Sequence, residues 1–304
     1  MAEAPKFATV VIIGLPNAGK STLLNALVGE KLAATSQTPQ TTRGKVLGVV
    51  NRGATQIAFL DTPGIHKPEH ALNERMMHHV DAALDEADLI LWMVDADEYL
   101  GPGEHALAKR LRKLARPTYL LLNKIDLLSK SRLLEKVVTY KDLLPFKEVI
   151  PIGAKMGLNL DPLWAILERD APEGAWQYEA DTFTDQTERS LVAEFIREKV
   201  LRKTSEEVPH GVAVLIERWL EAGHEDFPED LDAEGVYIAA QILVDRSNHR
   251  KILLGTGGEK IRDIRISAQR EVKKLLQRPV RLELHIKVEE GWRDRPDKLD
   301  RLEI

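Results

Sequence analysis

The 304-residue chain contains no cysteine. That excludes disulfides, thiolate catalysis and cysteine-held zinc, and it fits a reducing compartment. No apolar run approaches the roughly 18 residues needed to cross a bilayer. The opening MAEAPKFATVVIIG lacks the basic n-region and cleavage site of a secretory signal, so a cytoplasmic protein is expected. A net charge of −5 gives no overall excess of cations that would by itself mark a nucleic-acid binder. The nine histidines are scattered and read as surface residues, not as a metal site. What remains, 43% hydrophobic and 30% charged residues, is ordinary globular composition, and the length favours two domains.

Charge is unevenly placed. Glu221 to Glu234 holds seven carboxylates and no Lys or Arg, whereas Asp245 to Lys287 holds twelve basic residues against five acidic ones. The last third therefore has a basic section behind an acidic loop.

Through the first 170 residues short apolar runs alternate with helical patterns, the mark of an α/β fold with a mostly parallel sheet. Strands are expected at Ala8 to Ile13, Lys45 to Val50, Thr55 to Leu60, Leu89 to Val94, Thr118 to Leu122 and Glu148 to Ile152. The second and third lie too close for a crossover, so one edge strand must be antiparallel. Helices are expected at Lys20 to Val28, Leu72 to Glu86, Glu104 to Leu114, Ser131 to Leu144 and Leu160 to Glu168. Periodicity lapses in APEGAWQYEADTFTD, which places a linker at 171–187 between a domain at 1–170 and a smaller α+β domain at 188–304.

Directly after the first strand, Gly14-Leu15-Pro16-Asn17-Ala18-Gly19-Lys20-Ser21 matches G-x-x-x-x-G-K-S and opens a helix. Such a loop aims backbone N–H groups at phosphate oxygens, with the helix dipole behind them. Lys20 would neutralise β and γ phosphates, and Ser21 would ligate Mg²⁺, with Thr22 following in the same turn. Asp61-Thr62-Pro63-Gly64 ends the third strand; Asp61 can hold a magnesium-bound water and the Gly64 N–H can face a γ-phosphate. Asn123-Lys124-Ile125-Asp126 ends a later strand and explains base choice. Asp126 can accept the N1–H and N2 amine of guanine, donors adenine lacks, while Asn123 bridges loop and base and the Lys124 stem lies against the ring. These features imply a protein that binds GTP and GDP with magnesium and hydrolyses GTP. Between them, Thr35 to Arg43 is polar and strand-free, as expected for a segment ordered by magnesium and the γ-phosphate. Thr42 is preferred over Thr41 as its ligand. Lys20, Thr42 and Gly64 form the expected catalytic set. Where a Ras-type protein carries a water-orienting glutamine stands Ile65, so slow intrinsic turnover is expected.

With GLPNAGKS, QTTRG, DTPG and NKID in view, the chain resembles the Era-type proteins among the translation-factor-related GTPases. Ala193 to His210 (AEFIREKVLRKTSEEVPH) is similar to the start of their C-terminal domain, and Ile252 to Ile266 (ILLGTGGEKIRDIRI) is similar to a type II KH core. The resemblance implies a GTPase domain followed by a KH domain, binding to the 3′ end of small-subunit ribosomal RNA and help in maturing the small ribosomal subunit. It also implies a hydrophobic residue at the Ile65 position and a K⁺-binding role for Asn17. Three departures stand out: Gly153-Ala154-Lys155 replaces the usual Ser-Ala base-contacting loop, with Ala154 and Lys155 the nucleotide contacts; GTGG replaces GKGG; and the loop from Gly223 to Gly235 is acidic and long.

Gly255-Thr256-Gly257-Gly258 alone is a weak signal. Its place before a helix lets a sugar-phosphate backbone approach closely. Lys251, Lys260 and Arg262 would supply positive charge, with Arg265, Lys273 and Lys274 near in sequence. Met76, Met77 and Trp92 read as core or partner surface. The expected cycle is a γ-phosphate that orders residues 35–43 and 61–80 and thereby repositions the RNA-binding domain. A GTPase of membrane-linked signalling is the alternative, and peripheral association with the inner face of the cell membrane is a further expectation.

Overall fold

The computed structural model describes residues 4–65, 70–204, 208, 211–302 and 304. The 66–69 part of the expected 61–80 switch segment, and residues 205–207, 209 and 210 of the segment at 193–210, lie outside them. The chain divides into two compact units: Met1–Thr35, Thr42–Glu69 and Asn73–Asp185; and Ser36–Thr41, His70–Leu72 and Gln186–Ile304.

The first unit is built on β1 (Lys6–Ile13), β2 (Val46–Arg52), β3 (Thr55–Asp61), β4 (Leu89–Asp95), β5 (Thr118–Asn123) and β6 (Val149–Pro151), in the order β2-β3-β1-β4-β5-β6. All neighbours are parallel except β2 and β3, which form the expected hairpin with β2 at the edge. Its turn is Gly53-Ala54, one residue later than the sequence suggests, because Arg52 pairs with Thr55. β4 reads LILWMVD and β5 TYLLLN, unbroken apolar runs that suit strands covered on both faces, and Trp92 is fully buried.

The helices are α1 (Lys20–Val28), α2 (Ala71–Glu86), α3 (Pro102–Leu114), α4 (Lys130–Lys141) and α5 (Leu160–Asp170). α3 begins two residues before the apolar pattern: Pro102 suits the first turn, and the Gly101 N–H donates to the Glu104 carboxylate at 2.9 Å. α4 starts at its Ser129 cap and stops at Lys141, short of the expected Leu144, since Pro145 disfavours helix before it. Met76 is fully buried and Met77 packs at the edge of the core.

The segment after α5 belongs to this unit. Trp176 Nε1 donates to Ala54 O (3.0 Å), Gln56 Oε1 accepts the N–H groups of Gln177 and Tyr178 (2.9 and 3.0 Å), the Val49 N–H donates to Phe183 O (2.9 Å) and Thr184 Oγ1 to Leu47 O (2.8 Å).

The second unit contains α6 (Glu188–Lys203), β7 (Val212–Leu220), β8 (Val236–Val244), α7 (Ser247–Leu254), α8 (Glu259–Leu276), β9 (Val280–Val288) and α9 (Pro296–Arg301). β8 is central, antiparallel to β7 and parallel to β9. Thr187 caps α6 by accepting the Ser190 N–H (3.2 Å). The core gathers Val192, Ile196 and Val200 of α6, Ile238, Ala240 and Ile242 of β8, and Ile264, Ala268 and Val272 of α8, the last three at helical spacing of four. α9 was not legible beforehand; Leu299 is fully buried, as is Trp292 just ahead of it, whose Nε1 donates to Gly211 O at 3.1 Å. No helix among the described residues is long and apolar enough to cross a membrane.

Candidate functional site

In an open α/β sheet ligands settle at the C-terminal ends of the strands, beside the strand whose neighbours connect in opposite directions. Here that strand is β1, and Gly14 to Gly19 follow it directly. Gly19 takes φ +103°, and a Cβ added there would lie 2.3 Å from Asn123 Nδ2, so only glycine fits. Asn17 adopts φ 64°, the left-handed region that asparagine tolerates, and is exposed on the loop.

Lys20 is buried beneath this loop, its Nζ donating to Gly14 O (3.2 Å) and Leu15 O (3.1 Å). Burial pulls its pKa down to about 8, with the Asp61 charge opposing. One position along the helix, Ser21 Oγ donates to Asp61 Oδ2 at 2.6 Å and lies 2.7 Å from Thr42 Oγ1, which is itself 3.3 Å from the same carboxylate oxygen. Asp61 is fully buried, and its Oδ1 has no hydrogen-bond partner. Burial raises its pKa, while Lys20, the Ser21 and Thr42 hydroxyls and the Thr62 N–H pull it down. Two hydroxyls and a carboxylate with a spare buried oxygen form an all-oxygen donor set, which fits a hard divalent cation such as Mg²⁺. Thr41 faces elsewhere: within the second unit its Oγ1 donates to Thr38 O (2.7 Å) and lies 2.8 Å from Ser36 Oγ.

The Asp61–Gly64 turn returns to the phosphate loop, where the Ile65 N–H donates to Gly14 O at 3.3 Å. The Ile65 side chain packs against the core, so it offers water no hydrogen bond.

Asn123-Lys124-Ile125-Asp126 lies at the end of β5. Asn123 is 3% exposed; its Nδ2 donates to Ala18 O (2.7 Å), and its Oδ1 accepts the Ala154 N–H (3.0 Å). One amide thus ties the phosphate loop to the loop at 153–155. Lys124 sits at φ 64° and pairs with Asp95. Asp126 is exposed, near Gly153; Ala154 is buried and Lys155 exposed. Thr22 continues α1 behind Ser21. Asp95 is the residue sequence reading missed: it ends β4 opposite Asn123, a register that brings its carboxylate to Lys124.

The second unit places Gly255 to Gly258 between α7 and α8. Gly255 has φ +69°, and an added Cβ would meet Lys260 Cβ at 2.8 Å, so the tight turn requires glycine. Thr256, Gly257, Lys251 and Arg262 are exposed, and Lys260 is half-buried. The acidic loop is held by arginines of its own unit: Arg278 pairs with Glu221 (2.8 Å), and Arg281 grips both oxygens of Asp230 (2.7 Å each).

Residues 9–124 match the family described as 50S ribosome-binding GTPase, and residues 207–293 match the KH domain family. The chain is 44% identical over 290 residues to GTPase Era of Heliobacterium modesticaldum, covering 95% of this chain and 94% of that one. It is similar to a crystal structure of Era in complex with MgGDPNP and nucleotides 1506–1542 of 16S ribosomal RNA (TM-score 0.92, 37% identity, 98% of each chain). It is equally similar to a variant of Aquifex aeolicus Era bound to GDP·AlF4⁻ (TM-score 0.91, 37% identity, 98% of each chain).

Proposed function

We propose, from the premise that this chain belongs to the Era family of GTPases, that it is a GTP-hydrolysing switch. Its KH domain binds small-subunit ribosomal RNA near the 3′ end, and the protein assists maturation of the small ribosomal subunit. The observation that carries the nucleotide half is the meeting of Ser21, Thr42 and Asp61 beside buried Lys20.

Each residue then has a task. The loop N–H groups and Lys20 hold the β and γ phosphates, and the triphosphate would restore the full charge that burial weakens on Lys20. Ser21 and Thr42, with Asp61 through a bound water, would hold Mg²⁺, which when bound neutralises charge on the phosphates. Thr42 and Gly64 report the γ-phosphate, the first through its hydroxyl and the second through its N–H. Asp126 selects guanine, with Asn123, Ala154 and Lys155 shaping the pocket and Lys124, steadied by Asp95, covering the ring face. Ile65 leaves water to be positioned by other groups, and Asn17 is proposed to recruit K⁺ as the extra positive charge. Lys251, Gly255 to Gly258, Lys260 and Arg262 take the RNA backbone.

We assign 1–170 to the GTPase domain, 171–187 to a connecting segment whose residues 176–184 pack on β2 and β3 of that domain, and 188–304 to the KH domain, and place the protein in the cytoplasm with peripheral contact to the membrane's inner face. The test is RNA affinity with magnesium plus a GTP analogue against magnesium plus GDP. Tighter binding in one state supports the switch; equal affinities remove the coupling.

A further inference from the structure

The second unit carries a cationic feature that the reading above leaves unused. Ile266, Gln269, Arg270 and Lys273 recur at three- and four-residue spacing along α8, on the side away from buried Ile264, Ala268 and Val272. Arg265, Ile266, Gln269, Arg270 and Lys273 line an open concavity of about 360 Å³, with no carboxylate among them.

Many cations of this unit are paired, among them Arg278 with Glu221 (2.8 Å), Arg293 with Asp245 (2.9 Å) and Lys298 with Glu289 (3.2 Å). Among the described residues, the side chains of Arg270 and Lys273 have no such partner, and Arg265 donates to the neutral Gln269 Oε1 (3.2 Å). Gln269 Oε1 also accepts the Leu282 N–H at the edge of β9 (3.3 Å), which fixes the amide and leaves its Nε2 as a donor. Arg270 and Lys273, three residues apart on one helix face, repel each other, and Glu271, the carboxylate within that span, pairs with Lys199 of α6, so the arrangement is most favourable with an anion in the concavity. The site is dished, holds a neutral amide donor and has Ile266, 40% exposed, as apolar floor. A sugar-phosphate strand matches that chemistry better than a flat lipid surface does.

We propose that this concavity is a second backbone-binding station for RNA, taking phosphates of the strand whose neighbouring nucleotides are clamped by Gly255 to Gly258. The inference rests on the RNA-binding reading above. At about 1.5 Å per residue, Arg265 to Lys273 lies about 10 to 22 Å along α8 from Gly258. A glycine-rich loop of this kind holds about four nucleotides, so the station extends the contact beyond them.

The experiment uses the full chain with magnesium and a GTP analogue, and reads fluorescence anisotropy of a labelled RNA spanning 16S nucleotides 1506–1542. R270Q/K273Q should weaken binding about tenfold at about 0.15 M salt and lower the slope of log K against log salt by about 1.4, or about 0.7 per lost phosphate contact. Preference over a scrambled RNA should not change, and R270K/K273R should restore affinity. K274Q, which removes the adjacent charge outside the concavity, should stay within about twofold of wild type. If R270Q/K273Q binds like K274Q while G257D in the loop abolishes binding, the second station is wrong and the RNA reading stands. If wild type does not bind this RNA, both fall. Loss of binding to phosphatidylglycerol vesicles in R270Q/K273Q, with RNA affinity intact, would assign the concavity to a membrane and overturn the proposal.

Discussion

Asn123→Ala tests the junction of the phosphate and base loops. The substitution deletes two hydrogen bonds, to Ala18 O and from the Ala154 N–H, and both backbone partners belong to residues 2% exposed. Each is left without a protein partner at about 1 to 3 kcal/mol, so the loss should be roughly 2 to 6 kcal/mol. That is a large share of a typical stability of about 5 to 15 kcal/mol. Urea unfolding of the variant should show a fall in unfolding free energy of that size, and calorimetry should show much weaker GDP binding. Asn123→Asp sharpens the test, since a carboxylate still accepts the Ala154 N–H but repels Ala18 O. Its protonated form would donate to Ala18 O, so the folded pKa must rise above the unfolded value of about 3.9. Stability relative to wild type should then recover as pH falls through that raised pKa. An alanine variant within about 0.5 kcal/mol of wild type, the range of an ordinary surface change, would refute the bridging role.

Asp126→Asn should move preference from GTP toward XTP in competition binding; unchanged GTP affinity would refute the base assignment. Thr42→Ala should weaken Mg²⁺ binding to the GTP-analogue complex at least about tenfold and Thr41→Ala far less, followed by magnesium titration of a fluorescent analogue, with the reverse ranking sinking the ligand choice. GTP hydrolysis should run faster in K⁺ than in Na⁺, a difference that Asn17→Ala removes; equal rates in both salts would dismiss that residue's role. The Asp170 carboxylate is held well below the usual range, chiefly by the Arg169 guanidinium, with burial opposing and the Tyr119 hydroxyl and Lys147 assisting. Its contribution is therefore present above the unfolded pKa of about 3.9 and lost as pH falls toward the folded value, so Asp170→Asn should flatten acid unfolding below about pH 4.

The phosphate loop, the Asp61 turn and the NKID tetrapeptide were legible because each packs its chemistry into consecutive residues at a strand end. The sheet order beyond the hairpin was not, since which strands lie side by side depends on long-range pairing. Asp95 escaped for the same reason: only the pairing of β4 with β5 sets it beside Asn123 and brings it to Lys124. Sequence could rank Thr42 above Thr41 but could not place either hydroxyl; their different partners come from the path of the loop. The concavity on α8 was hidden in a charge run, because nothing local distinguishes a lysine that finds a carboxylate from one that does not.

The contacts of residues 176–184 with β2 and β3 bear on how the nucleotide-binding half can exist alone. β2 is an outer strand, and Leu47 and Val49 direct backbone groups outward to Thr184 and Phe183. A chain ending at residue 170 would leave those groups bare, an open seam to which another copy could add a strand. A chain carried through Asp185 keeps its own cover, so the two truncations should part in solution, the shorter self-associating and the longer staying monomeric.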